Sequence, residues 1–289
     1  MNNKTKQMHS VLVTGSSSGI GKSIALYLDK QGYKVYAGVR KFEDGEVLRK
    51  LSSPDLQPVI IDVTVLTSIN AAKRLVESEI QPFSSFALIN NAGVALGSPI
   101  ETLQHSTLRF EMEVNYFGVI STIQSFLPIL REKKGKIINI SSISGKSSMP
   151  FNGTYCASKF ALEAITDALR LELKAWDISV SNILPGDIST EIWEKAITDI
   201  DKRASEWNPE AIKLYGPTIE FMKDTIRNVK GSKPDLISRA VDKILKSCNT
   251  KSRVYVGKNV WFYYFLEILP TAIRDKLILS KLPKYGNYK

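Results

Sequence analysis

The 289-residue chain predicts an α/β fold built on a doubly wound parallel sheet, and two observations carry that expectation. Strand-length segments that are apolar almost throughout alternate with longer amphipathic stretches, and the first of those segments runs through a glycine-rich turn straight into a helical pattern. Strands buried on both faces read as continuous rather than alternating apolar runs, and they occur where helices cover both sides of a parallel sheet.

Taken in order, the predicted strands are SVLVTG (10–15), KVYAGV (34–39), PVIID (58–62), FALIN (86–90), KIINIS (136–141), SVSNIL (179–184) and SRVYVG (252–257). Helix-like runs at 21–31, 68–80, 103–134 and 155–175 fill most of the gaps. From 189 to 235 the pattern loosens, and Pro209, Pro217 and Pro234 punctuate charged helix-like pieces, so this stretch reads as an insertion and not as another βα unit. The whole of 1–289 is expected to be a single domain: a core over 10–188 and 236–258, the insertion 189–235, and an amphipathic tail 259–289.

Composition is that of a globular protein, 43% hydrophobic and 24% charged. Cys156 and Cys248 are too few for a disulfide framework and have no metal-ligand spacing, which suits a reducing, cytoplasmic setting. His9 and His105 give a zinc site or a histidine triad little to build on, so no metal is expected. The start, MNNKTKQMHS, is polar and shows no leader pattern, and no apolar stretch reaches the roughly 18 residues of a membrane-spanning helix. The net charge of +10 is concentrated late: residues 251–289 hold eight basic residues against Glu267 and Asp275. In this tail VWFYYFLEILP (260–270) mixes aromatics and aliphatics, which suits either peripheral contact with a membrane surface or burial against the core or a second copy. No nucleic-acid partner is expected.

The turn after the first strand reads TGSSSGIG, so Thr14, Gly15, Ser17, Ser18, Gly19, Ile20 and Gly21 form a candidate phosphate cradle. Glycine lets the backbone approach a ligand closely, and the helix start offers free N–H groups and the positive end of its dipole to a pyrophosphate. The spacing GxxxGxG differs from GxGxxG and lacks the GK[ST] ending of an ATP-binding loop. At the end of the second strand Arg40 stands where a basic side chain would pair with the 2′-phosphate of NADP and an acidic one with the ribose of NAD. NADP(H) is therefore favoured with NAD(H) as the alternative, although a strand-end arginine also serves as a plain surface residue. Asp62-Val63 places a carboxylate for an adenine amino group, or simply makes a turn.

Tyr155 and Lys159 lie four apart, hence on one face of the predicted helix, where an ammonium lowers the pKa of a phenol beside it. Ser142 sits at the carboxyl end of a strand, where ligands of such sheets bind, and its hydroxyl could hold a carbonyl or alcohol oxygen. The same residues also have a bland reading: an amphipathic core tyrosine, a lysine reaching to solvent, a turn serine, with Cys156 filling space. Asn115 and Gly118 interrupt the apolar run VNYFGVI, for packing or for a polar contact.

Together, TGSSSGIG, Asp62, NNAG (90–93), Asn115, Ser142, YCASK (155–159) and PGDIST (185–190) resemble the motifs of the short-chain dehydrogenase/reductase family, in order and over roughly residues 10–260. The resemblance implies a Rossmann three-layer sandwich with a seven-stranded parallel sheet, a helical substrate-covering insertion and a C-terminal helical tail. It implies that Tyr155 is the general acid-base, that Ser142 orients the substrate oxygen, that Lys159 holds the nicotinamide ribose and depresses the tyrosine, and that Asn115 anchors a relay water through a local helix distortion. Asn91, Ala92 and Gly93 would pack on the adenosine side, with Pro185, Gly186, Ile188 and Thr190 bordering the nicotinamide. Family members are commonly homodimers or homotetramers built through the helix of the Tyr/Lys pair and its neighbour. The stretch from Pro150 to Leu173 looks more like the 17β-hydroxysteroid and retinol dehydrogenases than the ketoacyl reductases. Ile192, Trp193, Trp207, Tyr215, Phe221 and Met222 are available for an apolar lid, so an apolar alcohol or carbonyl such as a steroid, retinoid or other lipid is the expected substrate. The alternatives are a 3-ketoacyl or small-carbonyl reductase, and a non-catalytic nucleotide-sensing protein that keeps the fold. Presence of the whole Asn-Ser-Tyr-Lys set speaks against the last.

Overall fold

Seven parallel strands hydrogen-bond in the order β3-β2-β1-β4-β5-β6-β7. They are β1 (His9–Val13), β2 (Lys34–Val39), β3 (Leu56–Ile60), β4 (Ser85–Asn90), β5 (Lys136–Ile140), β6 (Ser179–Pro185) and β7 (Arg253–Val256). The computed structural model describes residues 9–190, 192–228, 230–280 and 282, and the side chains of Ile192, Trp193, Glu194 and Ala196 lie outside the described residues. The strand order reverses between β1 and β4, and crevices for ligands open at that reversal, outside the carboxyl ends. Register aligns those ends: Val13 pairs with Ile89, Ile89 with Ile138 and Ile138 with Ser181.

Helices cover both faces. Helices α3 (Leu66–Glu79), α5 (Gly118–Glu132) and α6 (Gly153–Glu172) close one core, where Phe86 and Phe126 stack at 5.9 Å between ring centroids. On the other face α1 (Gly19–Lys30) packs against α9 (Asp235–Lys246), with Ile24, Leu28, Ile237 and Val241 fully buried. Each such side chain contributes about 1.5–3 kcal/mol on leaving water. A short helix α2 (Phe42–Arg49) was not expected, because it buries only Gly45 and Leu48 and shows little amphipathic pattern.

The run expected as one helix over 103–134 divides into α4 (His105–Met112), a π turn at Glu113–Phe117, and α5. Asn115 lies in the π turn and is fully buried there. The insertion folds as α7 (Ile192–Ala204) and α8 (Pro209–Asn228). Its prolines act differently: Pro209 opens α8, where a missing N–H costs nothing, whereas the exposed Pro217 stays inside the helix and does not end it. After β7 come α10 (Val260–Ile268) and α11 (Thr271–Leu279). Val260 and Leu266 dock α10, and Tyr255 gathers Trp261 and Tyr264 at 5.2 and 5.4 Å, yet Trp261, Phe262, Phe265 and Ile268 remain exposed. Among the described residues no helix is long and apolar enough to cross a membrane.

Polar contacts fix where α6 sits. Asn90 donates to Asn139 at 2.8 Å and Asn139 to Thr166 at 2.9 Å, crossing from β4 through β5 to the helix. Asn182 and Arg253 each donate to Glu163 at 2.7 Å, and Arg253 also pairs with Asp167. These directional bonds, running from the buried Asn90, Asn139, Asn182 and Glu163 out to the half-buried Arg253, set the helix at one rotation on an otherwise greasy surface.

Candidate active site

Two loops at the carboxyl edge are stapled together. The Thr14 hydroxyl accepts the N–H groups of Asn91 and Ala92 at 3.0 Å each, and Asn91 Nδ2 donates to the carbonyls of Thr14 and Gly15 at 2.9 and 3.0 Å. Gly15 has φ +67°, and a Cβ there would stand 2.8 Å from Ala92 Cα; at Gly21 a Cβ would meet the Gly15 carbonyl at 2.2 Å. The side chain of Ser18, which precedes α1, makes no capping bond, and no acidic residue lies in the first turn. The helix start therefore presents backbone donors and a positive dipole end to an anion.

A cavity of about 750 Å³ opens over this cradle. Of the residues expected from the sequence it is lined by Gly15, Ser17, Ser18, Gly19, Ile20, Gly21, Arg40, Asp62, Val63, Asn91, Ala92, Gly93, Tyr155, Lys159 and Thr190. The others stand apart from its wall. Thr14 acts as the staple, Asn115 is buried behind it, and Ser142 neighbours Tyr155. Pro185, Gly186 and Ile188 do not line it: Ile188 is buried, and a Cβ at Gly186 would meet the Lys258 carbonyl at 2.2 Å. Asp62 fills its turn role as well, since Oδ1 accepts both the N–H and the hydroxyl of Thr64 at 2.9 and 2.7 Å.

The apolar wall differs from the expectation of an aromatic lid. Trp207, Tyr215, Phe221 and Met222 do not line the cavity; the lining is Ala95, Leu96, Phe110 and Val114, and the insertion contributes the polar Lys195, Thr198 and Asp199. Tyr215 instead packs edge-on to Phe151 and Trp207, and Phe221 is exposed. Ile192 and Trp193 fall outside the described side chains. Extension of the NNAG loop could have pointed to Val94–Leu96; nothing in the insertion's sequence singles out Lys195.

Tyr155 and Lys159 reach the cavity from the first turns of α6, both almost fully buried. Lys159 Nζ donates to the Ile140 carbonyl at 3.1 Å and lies 5.7 Å from the Tyr155 ring centroid. Burial pushes the Tyr155 phenol up to about 12, against the pull of the Ser142 hydroxyl. Burial also brings Lys159 down to about 8, with Glu111 and Glu163 opposing it. Desolvation dominates both shifts because both groups are taken out of water. Cys156 is a buried thiol that burial pushes up, in keeping with packing.

A glycine cradle and a buried Tyr/Lys pair on one cavity, at the point where a parallel sheet reverses its order, define a dinucleotide-binding oxidoreductase of the doubly wound class. The chain belongs to the short-chain dehydrogenase family, whose model matches residues 9–201. It is 31% identical over 276 residues to retinol dehydrogenase 7 of Rattus norvegicus, covering 93% of this chain and 87% of that protein. It is 33% identical over 284 residues to 17-beta-hydroxysteroid dehydrogenase type 6 of Bos taurus, covering 95% and 89%. A short-chain dehydrogenase of Burkholderia cenocepacia, solved in complex with NADP, superimposes with a TM-score of 0.70 at 28% identity over 93% of this chain and 97% of that one. The chain is thus an oxidoreductase acting on CH–OH groups, in the retinol and steroid dehydrogenase branch of its family.

A charged lysine held out of water weakens the fold until its proton leaves. With a folded value of about 8 against 10.5 when exposed, the unfolded chain binds more protons between these limits, so stability rises with pH across that window. Lys159→Met is expected to be more stable than the native chain at pH 7, by on the order of 1–3 kcal/mol. That advantage should shrink between pH 8 and 10.5 in urea titrations at stepped pH; a gap independent of pH would contradict the burial argument.

Proposed function

We propose that the protein interconverts an apolar alcohol and its ketone or aldehyde with NADP(H), Tyr155 serving as general acid-base. The observation that carries this reading is that Tyr155 and Lys159 open onto the same cavity as the Gly15–Gly21 cradle. The residues present fit a dinucleotide: Gly15, Gly19 and Gly21 bring bare backbone to the cavity wall, the start of α1 offers donors, and the exposed Arg40 stands at the cavity edge for a 2′-phosphate. When bound, the nicotinamide supplies or takes up the hydride.

The protein's share is the proton. At neutral pH the Tyr155 phenol keeps its proton and can give it to a carbonyl oxygen; in the oxidative direction it must first become phenolate, which the Ser142 hydroxyl stabilises, with the Lys159 ammonium 5.7 Å from the ring centroid to add its field. Ser142 Oγ accepts the Ser144 N–H at 3.0 Å, leaving its own proton to donate to substrate oxygen or phenolate. Asn115 bonds Val94 and Ser158 with its side chain and shapes the π turn, the place the family resemblance assigns to a relay water. The apolar lining, together with relatives named for retinol and 17-beta-hydroxysteroids, supports a steroid, retinoid or similar lipid as substrate. Assembly as a homodimer or homotetramer would use the outer faces of α5 and α6, beside which Phe117 and Phe160 are exposed. The aromatic face of α10, with the exposed Lys276 on α11, suits contact with an anionic lipid surface.

Tyr155→Phe is expected to lower turnover by roughly 10²–10⁴-fold while NADPH affinity, read by fluorescence titration, is kept. Native turnover in this variant would overturn the assignment of the proton. Arg40→Ala should weaken NADPH by about 10–100-fold and leave NADH unmoved, and equal losses for both would defeat the 2′-phosphate role. Flotation with anionic liposomes should carry the protein at low salt, and its absence from the lipid fraction at every salt would remove the membrane contact.

A further inference from the structure

The wall of the cavity beside Tyr155 is a stretch without regular structure, and it is held by side chains from both the core and the insertion. Asn115 takes both backbone groups of Val94, accepting its N–H at 2.9 Å and donating to its carbonyl at 2.8 Å. One helical turn earlier, Glu111 Oε1 accepts the Leu96 N–H at 2.7 Å. From α7, an Arg203 guanidinium nitrogen donates to the Gly97 carbonyl at 3.0 Å. Val94, Ala95 and Leu96 all face the cavity.

Glu111 is 1% exposed, and a carboxylate so deep is costly unless its charge is used. Burial pushes its carboxyl up, and the Thr154 hydroxyl, the Leu96 N–H and the cations Arg203 and Lys159 pull against that shift. The groups that face it are Arg203 of α7, itself near Asp199, and Tyr155, Cys156 and Lys159 of α6, with the Thr154 hydroxyl alongside. Glu111 Oε2 and Arg203 Nε are both buried without a hydrogen-bond partner among the described residues, and the two side chains attract each other electrostatically.

We propose that Glu111 and Arg203 are positioning residues of the substrate pocket: from the core side and the insertion side they fix the wall Val94–Gly97 beside Tyr155, so that the seating of α7 and the shape of the pocket are set together. This rests on the oxidoreductase reading above and adds the residues that couple the lid to the site.

The test uses the full chain, NADPH and a panel of steroid, retinoid and short-chain carbonyls. Arg203→Met should raise KM for the best apolar substrate by roughly tenfold, the loss of one charge-assisted hydrogen bond. The kcat and the NADPH affinity should stay near native, and Arg203→Lys should recover part of the loss. Glu111→Gln keeps the acceptor for Leu96 but removes an anion that favours the Lys159 ammonium, so the alkaline limb of the kcat/KM profile should move to lower pH. Limited proteolysis within 192–228 should be faster in Arg203→Met. Native KM, native pH limb and native proteolysis would together overturn the proposal, and the proteolysis arm decides it should Glu111→Gln fail to fold. A native chain that turns over no carbonyl at all would instead overturn the oxidoreductase reading, with the proteolysis arm still reporting on the seat of α7.

Discussion

Keeping the Lys159 ammonium beneath the carboxyl edge of the sheet is the constraint on which the site depends. Water solvates that charge poorly at this depth, so the protein must supply oxygens and anions in its place: the Ile140 carbonyl at 3.1 Å, and the fields of Glu111 and Glu163. Each of these comes from a different element, namely the end of β5, helix α4 and a later turn of α6 itself. The lysine therefore reports on the assembly of three parts of the chain, and none of them could be moved without leaving its charge unsupported.

That requirement explains why the interface between α6 and the sheet is polar where the rest is oily. Leu162 and Ile137 would pack at several rotations of the helix, since apolar contact is non-directional. Asn139 with Thr166, and Asn182 with Glu163, are directional and allow one. The same division runs through the glycine turn: Thr14 and Asn91 hold the backbone by hydrogen bonds, and the missing side chains of Gly15 and Gly21 let the turn and the Asn91–Ala92 segment pack in direct contact.

Much of this was legible in the sequence. All seven strands were readable because apolar runs on a doubly covered sheet leave a strong imprint, and the cradle and the Tyr/Lys pair because their spacing is local. What escaped reading was set by distant partners. Helix α2 buries too little to imprint a period; the local helix distortion that the family resemblance implied at Asn115 is a π turn, but its side-chain partners Val94 and Ser158 lie 21 and 43 positions away. The phenol illustrates the limit best: four-residue spacing shows that a cation is close, but whether its pull exceeds the loss of water depends on how deep both groups lie.

Arg253 lies on the last strand and grips Glu163 across 90 residues of chain. During synthesis the nucleotide cradle and the helix of the Tyr/Lys pair leave the ribosome long before this arginine does, and domains begin folding as they emerge. The clasp on the helix of the Tyr/Lys pair is therefore made by the last strand of the sheet, and it is complete only once the C-terminal part of the chain is present.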